Sequence, residues 1–344
     1  MKISFKNDYS EGAHPAILEA LLQTNRQQQP GYGLDDYSEQ AKALIRERIG
    51  NPQAEIFFVS GGTQANLLVL GHILHPHESI IACQSAHIAD HETGAIEAVG
   101  HKIHLTPSDN GKLSPEQIRD YASRYTNVPH QVQPRLVYIT QTTEIGTLYS
   151  LAELKAIWQC CQELGLLLYM DGARLAQALS AEGNDIVWED LARYTDIFYI
   201  GATKCGALLG EAIVFNRSAL AEYFSFYIKQ KGALLAKGRL LGLQFLTLFQ
   251  NNLYEELGRV ANTQMKRIKE AFVAKGIGFL SDTCTNQLFP ILTQRQIAQL
   301  SADFDFYLWQ KVDAEHTAIR LITSWATEDS QVEALLRVIE GLTP

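Results

Sequence analysis

Three short segments carry residue types able to do covalent and phosphate chemistry, and each follows an apolar run. The first is Val59-Ser60-Gly61-Gly62-Thr63-Gln64-Ala65-Asn66, which leads from a strand-like stretch into helix-like spacing over 67–74. Glycines let a backbone approach a ligand, and unpaired N–H groups at a helix start favour a phosphate, so Gly62 and Thr63 are candidate phosphate donors. A strand–glycine–helix turn also arises in α/β folds for geometry alone. The pattern is neither GxGxxG nor GxxxxGK[ST], which argues against a dinucleotide or a nucleoside triphosphate. The second segment is Asp171-Gly172-Ala173-Arg174, after Leu168-Tyr169-Met170. Ligands of open α/β sheets bind beyond the carboxyl ends of the strands, so Asp171 points at the expected crevice, where it could pair with a protonated ring nitrogen. A helix N-cap explains an aspartate at this place nearly as well. The third segment sets Lys204 between the apolar run 196–200 and Gly206-Ala207-Leu208-Leu209-Gly210. A lysine with little solvent around it loses its proton readily and becomes a nucleophile toward an aldehyde. Ordinary surface lysines rarely stand in such company.

Together the segments offer a phosphate cradle, a pyridinium partner and an imine-forming lysine, the set that pyridoxal 5′-phosphate requires. At this point the chain resembles the low-specificity L-threonine aldolases, fold type I enzymes related to the beta-eliminating lyases and aspartate aminotransferase. The resemblance runs over nearly the whole chain. It is carried by Gly62-Thr63-Gln64-Ala65-Asn66, Ala86-His87-Ile88, Asp171-Gly172-Ala173-Arg174 and Thr203-Lys204. It implies that Lys204 carries the cofactor as a Schiff base, that Asp171 holds the ring nitrogen protonated, and that Gly62 and Thr63 bind the phosphate. His87 would stack on the ring and act as base near the substrate hydroxyl; a capping or core histidine is the plainer alternative. Arg174 would lie beside the cofactor and substrate, and Arg320 matches a C-terminal arginine that grips the substrate carboxylate with a bidentate fork.

Departures from the family pattern set further expectations. Where the family often has Arg-Ser-Asp-Thr, this chain has Lys6-Asn7-Asp8-Tyr9, so Asn7 would take over a serine's contact with the substrate carboxylate. Glu144 stands where many aldolases carry a second active-site histidine, which leaves His87, Glu144 or water as the base. Lys237, with Arg239 as the competing choice, falls near an arginine that reaches the neighbouring subunit's phosphate. Tyr32-Gly33 resembles a loop at the same interface. The resemblance therefore implies a homodimer or homotetramer with shared active sites, acting on a small amino acid. The implied reaction is retro-aldol cleavage of L-threonine or L-allo-threonine to glycine and acetaldehyde. β-Elimination on serine- or cysteine-type substrates, aminotransfer, and a non-catalytic binder of a phosphorylated ligand remain the alternatives.

The elements that must position these residues follow from periodicity. Seven apolar runs, at 55–59, 79–82, 102–105, 135–139, 166–170, 196–200 and 211–215, alternate with helical spacing. That alternation predicts an α/β fold with a mainly parallel seven-stranded sheet covered by helices. Ser114 and Ser150 are placed as N-caps of helices over 115–125 and 151–164. Long helices follow over 218–229 and 235–274, then strands over 286–291 and 318–323 and a helix over 330–341. The expected division is a large cofactor-binding α/β domain over 1–245, with an N-terminal arm, and a small C-terminal α+β domain over 246–344.

Bulk properties exclude other classes. Of the 344 residues 46% are hydrophobic and 19% charged, which suits a folded globular chain. A net charge of −9 disfavours nucleic acid or an anionic membrane as partner, so any phosphate must be held by local geometry. Five cysteines, two of them adjacent, have neither metal-ligand nor redox spacing, and no apolar run approaches a bilayer span. A cytoplasmic location without bound metal is the expectation.

Overall fold

Every apolar run read as a strand of the large sheet pairs with its neighbours. The computed structural model describes residues 2–343. Its large sheet contains β1 (Glu55–Val59), β2 (Glu78–Cys83), β3 (Lys102–Thr106), β4 (Gln133–Thr140), β5 (Leu167–Asp171), β6 (Ile197–Gly201) and β7 (Glu211–Phe215). The spatial order is β1-β7-β6-β5-β4-β2-β3. Neighbours from β6 to β3 are parallel, whereas β7 runs antiparallel to both β1 and β6. The carboxyl ends of β1, β4, β5 and β6 therefore share one edge, and the reversed β7 brings its first residue, Glu211, to that edge opposite Val59 and Gly201.

Side-chain alternation explains why the middle of the sheet is apolar on both faces. Leu168, Met170, Phe198 and Ile200 enter one hydrophobic core, while Leu167, Tyr169, Ile197 and Tyr199 enter the core on the opposite face. A sheet buried on both sides reads as continuous apolar runs, which is the signal the sequence carried. Ser114 and Ser150 cap the helices Pro115–Ser123 and Leu151–Leu164, each with a reciprocal capping box.

The long helical stretches are more broken than their spacing suggests. Residues 218–229 divide into a 3₁₀ turn, Ser218–Ala221, and the helix Phe224–Gln230, with Tyr223 in the left-handed region between them. Residues 235–274 divide into the helices Arg239–Phe249 and Leu253–Ala274, because Asn251 and Asn252 take φ of 55° and 59°. Asparagine tolerates that conformation better than most residues, so the pair serves as a break that apolar periodicity does not reveal. The amino-terminal arm contains the helices Pro15–Thr24 and Asp36–Arg48.

A third core joins the start of the chain to its end. Phe5 packs with Met265, Phe272, Leu288, Leu321, Val332 and Ile339. The strand His316–Ile322 lies between Ile291–Thr293 and Tyr307–Lys311, antiparallel to both. The run read at 286–291 is interrupted at Pro290, which has no N–H for a ladder, leaving Gln287–Leu288 and Ile291–Thr293. Backbone bonds from Phe5 N to Asp305 O and from Ile322 N to Phe5 O, both 2.8 Å, fix residues 6–8 close to Arg320. Among the described residues no helix is long and apolar enough to cross a membrane.

Candidate active site

Asp171 ends β5 at the shared edge, and its carboxylate is 1% exposed. Oδ1 accepts from the Ala173 N–H at 2.9 Å and from the Tyr199 hydroxyl. Oδ2 accepts from the Tyr138 hydroxyl and from Asn66 Nδ2 at 3.2 Å. Capping the turn is thus part of what this side chain does, but three side-chain donors from β4, β6 and the helix Gly62–Ile73 fix its direction as well. Burial first, and the Asp171 charge second, push the Tyr138 and Tyr199 phenols well above their ordinary range, so both stay as O–H donors. The small residues after β5 and β6 have a steric cause. A Cβ on Gly172 would stand 1.9 Å from Tyr199 O, and one on Gly201 would stand 2.5 Å from Ala173 O.

Lys204 follows β6 in a turn where Thr203 Oγ1 accepts from the Gly210 N–H at 3.0 Å and donates to Glu211 Oε1 at 3.0 Å. Burial, then the positive charge of Arg174, lowers the basicity of the Lys204 amine, although Asp8, Glu144 and Asp171 act the other way. Burial raises the Glu211 carboxyl to about 8 despite the opposing pull of Lys204. On the far wall, Arg174 donates to Asp8 through Nε at 2.8 Å and Nη2 at 3.1 Å. Asn286 Nδ2 adds a third bond to Asp8 at 2.9 Å. Arg320 stacks on Trp309 and Tyr307, 4.6 and 5.1 Å from the ring centres, and its Nε is buried with no hydrogen-bond partner among the described residues. Burial and the nearby Arg174 lower the Arg320 pKa, while Glu144 and Asp8 oppose that shift.

His87 begins the short helix His87–Asp90 and places Nδ1 2.8 Å from Glu92 Oε1. Burial alone would lower its pKa, but the Glu92 hydrogen bond and the Glu144 and Asp171 charges outweigh burial and raise it. Charges on Lys204, Asp171, His87, Glu144, Arg174 and Arg320 all act on one another or on a shared neighbour across this crevice. Beside it, the helix Gly62–Ile73 starts after Gly61 with no side chain capping its first turn. Such a donor set suits an amino acid carboxylate, a phosphorylated aldehyde and proton transfer.

A sequence model of the family described as Beta-eliminating lyase matches residues 6–292. The low specificity L-threonine aldolase of Pseudomonas aeruginosa is 33% identical over 342 residues, spanning 97% of this chain and 96% of that protein. The chain belongs to the threonine aldolases of the beta-eliminating lyase family. A threonine aldolase structure from Leishmania major matches with a TM-score of 0.97 at 45% identity, covering 98% of this chain and 99% of that one. An aspartate aminotransferase from Thermus thermophilus, at 15% identity and a TM-score of 0.74 over 99% of this chain and 91% of its own, shares the fold. That fold is type I of the pyridoxal-phosphate enzymes.

Within this family member not every residue singled out from the sequence lies in the crevice. The Asn7 side chain accepts from the Tyr9 N–H at 3.0 Å and the Ser10 hydroxyl at 2.9 Å, closing its own turn. Its neighbour Asp8 is the residue that enters. Tyr32, at φ 62° and 48% exposed, lies at the surface with its N–H bonded to Ala236 O at 3.1 Å and Lys229 over its ring. Lys237 is exposed on the same surface, whereas Arg239 donates to Gln27 O and Thr24 O at 2.6 and 2.9 Å. Sequence reasoning passed over Asp8, Asn66, Glu92, Tyr138, Tyr199 and Glu211. Asn66 ends the segment Gly62-Thr63-Gln64-Ala65-Asn66, four residues after Gly62 and so on the same helix face. Glu92 gave no periodic signal, because it stands just after the one-turn helix His87–Asp90 has ended and just before a turn in which Thr93 and Gly94 take positive φ. A cavity of about 580 Å³ along the helix Leu253–Ala274 is lined by Arg259, Lys266 and Lys269 and by none of these residues.

Proposed function

We propose that the chain cleaves the Cα–Cβ bond of β-hydroxy-α-amino acids, converting L-threonine and L-allo-threonine to glycine and acetaldehyde, with pyridoxal 5′-phosphate held at the shared strand edge. The observation that carries the reading is the pairing of a buried, four-donor Asp171 carboxylate with a lysine of lowered basicity after the adjacent strand. Both are found in a chain alike to threonine aldolases over almost all its length.

The residues fit the cofactor on chemical grounds. Gly62 and Thr63 offer N–H groups at an uncapped helix start to the phosphate. Asp171 would hold the ring nitrogen, His87 would lie against the ring, and the Lys204 amine would be the attachment point. When bound, pyridoxal phosphate supplies an electron sink for the pair released from the broken bond.

The remaining work falls to this chain's own side chains. Arg320 holds the substrate carboxylate, since its Nε is buried without a partner and its guanidinium plane is already fixed by two aromatic rings. Arg174, steadied by Asp8, adds positive charge beside that carboxylate. The proton of the β-hydroxyl passes to His87 Nε2, because Nδ1 is engaged by Glu92. The O–H electron pair becomes the second C–O bond of the aldehyde as Cα–Cβ breaks. Glu144, buried beside His87 and Arg174, tunes the charge of both and is the competing base.

Oligomer and location belong to the same reading. Lys237 is exposed next to the Tyr32 loop while Arg239 is occupied within its own subunit, so Lys237 is the cation that reaches a neighbour's phosphate in a homodimer or homotetramer. Five free cysteines, four of them buried, suit the reducing cytoplasm. The test is incubation of the cofactor-loaded protein with each threonine isomer while glycine and acetaldehyde are assayed. Formation of glycine from at least one isomer is expected, and none from either would overturn the proposal.

A further inference from the structure

The His87 imidazole is held from behind by a buried polar chain. Glu92 Oε1 lies 2.8 Å from His87 Nδ1 and accepts from Asn66 Nδ2 at 2.7 Å. The same Asn66 nitrogen lies 3.2 Å from Asp171 Oδ2, while Asn66 Oδ1 accepts from the Tyr169 hydroxyl at 2.9 Å. Electrostatics fixes this amide orientation, since the opposite one would aim a carbonyl oxygen at two carboxylates. Asn66 is fully buried and Glu92 is 5% exposed, so bulk water cannot substitute for either bond. Glu92 Oε2 is buried with no partner among the described residues, which leaves its whole charge to be answered through one oxygen by His87 and Asn66. A carboxylate at Nδ1 makes that nitrogen the proton bearer in the neutral ring and leaves the lone pair on Nε2.

We propose that Glu92 and Asn66 are positioning residues for the cleavage reaction: Glu92 fixes His87 in the tautomer whose Nε2 accepts a proton, and Asn66 ties that pair to the Asp171 carboxylate. The proposal rests on the functional reading above, in which His87 takes the hydroxyl proton. Facing the imidazole are Glu92 and His91 from its own segment, Glu144 from the loop after β4, Asp171 at the end of β5 and Lys204 after β6. Of these, Glu92 is the group within hydrogen-bond distance among the described residues. When Nε2 gains a proton, the new positive charge is matched at once by Glu92 across Nδ1. Loss of Glu92 removes both the tautomer choice and that compensation, and the other groups cannot restore a bond at Nδ1.

The experiment is ¹⁵N NMR of histidine-labelled, cofactor-loaded protein over a pH series, with the His87 signal assigned from its loss in His87→Asn. In the native protein the neutral ring should carry its proton on Nδ1 and titrate above an ordinary imidazole. In Glu92→Leu the tautomer preference should vanish or reverse, and in Glu92→Gln, whose amide oxygen can still accept from Nδ1–H, the titration should fall by about one unit or more. The acid limb of glycine release should move down with it, and kcat should drop about tenfold to a hundredfold with KM little changed. Glu92→Asp, which keeps the charge on a shorter arm, should recover the tautomer and part of the rate. Should either variant fail to fold, Glu92→Asp and Asn66→Ala carry the test: Asn66→Ala should keep Nδ1 protonated yet shift the pH dependence of the visible cofactor band, through Asp171. A folded Glu92→Leu protein whose His87 tautomer matches the native one, or a folded Glu92→Gln protein whose His87 titration does, overturns the proposal. Native protein that releases no glycine, but shows the expected NMR behaviour, overturns the functional reading instead and leaves the positioning of His87 standing.

Discussion

Replacing Asp8 by asparagine tests whether the far wall of the crevice is built on a buried ion pair. Asp8 is 0% exposed and Arg174 is 7% exposed, and the carboxylate accepts two bonds from the guanidinium and one from Asn286 Nδ2. Asparagine keeps the volume and removes the charge. The Arg174 cation then stays buried with Glu144 as the main opposite charge acting on it. Breaking a buried pair by removing one partner costs about 3–5 kcal/mol, a large share of the roughly 5–15 kcal/mol that holds a typical domain together. The pH dependence has a definite sign. Burial opposes ionisation of Asp8, but Arg174, Lys204 and the hydrogen bonds overcome it and hold the carboxyl below its ordinary range. A lowered carboxyl stabilises the folded state fully above its unfolded pKa of about 4, and the contribution is lost as pH falls through the folded value. Urea and thermal unfolding followed by circular dichroism should therefore give Asp8→Asn a deficit of about 3 kcal/mol at pH 7 that shrinks in acid. A deficit below about 0.5 kcal/mol at neutral pH, or one that widens on acidification, would refute the reasoning.

Lys204→Ala should abolish both the visible absorbance of the bound cofactor and glycine formation; retention of the band would show that the cofactor is anchored elsewhere. His87→Asn should lower kcat about 10²- to 10⁴-fold, as expected for loss of a general base, and Glu144→Gln should cost less. The reverse ranking in steady-state rates would transfer the base role to Glu144. Arg320→Ala should raise KM for threonine by about 1.5–3 kcal/mol, roughly tenfold to 150-fold, as loss of a charge-assisted bond implies. A KM within twofold of the native value would remove Arg320 from carboxylate binding. Lys237→Ala should weaken cofactor retention measured by dialysis while Arg239→Ala should chiefly destabilise the helix Pro15–Thr24; the opposite pattern would exchange their roles.

The sheet was legible in the sequence because its central strands β5, β6 and β7 are buried on both faces and write themselves as apolar runs, while the edge strands β1 and β3 keep enough apolar residues to be read beside them. The turns that end β5 and β6 were legible for a related reason, since Gly172 and Gly201 mark where one backbone presses on another. The strand Tyr307–Lys311 was not read, although Phe306-Tyr307-Leu308-Trp309 is an apolar run: its side chains are mostly exposed, so the run does not mark a buried face. Nor did periodicity show the break at Asn251-Asn252, which depends on two backbone angles and not on which face is apolar.

For the site, residue type and local spacing were enough to single out Lys204, Asp171 and the Gly62 turn, because each stands directly after a strand and the fold collects strand ends on one edge. What tertiary structure alone decided is which groups surround them. Asp8 meets Arg174 across 166 positions, and Asn66 meets Asp171 across 105. Those contacts depend on how the amino terminus docks on the strand His316–Ile322 and on how the helix Gly62–Ile73 crosses the sheet edge. No local pattern encodes such meetings, since a hydrogen bond between distant residues is set by the packing of whole elements and leaves no period in the chain.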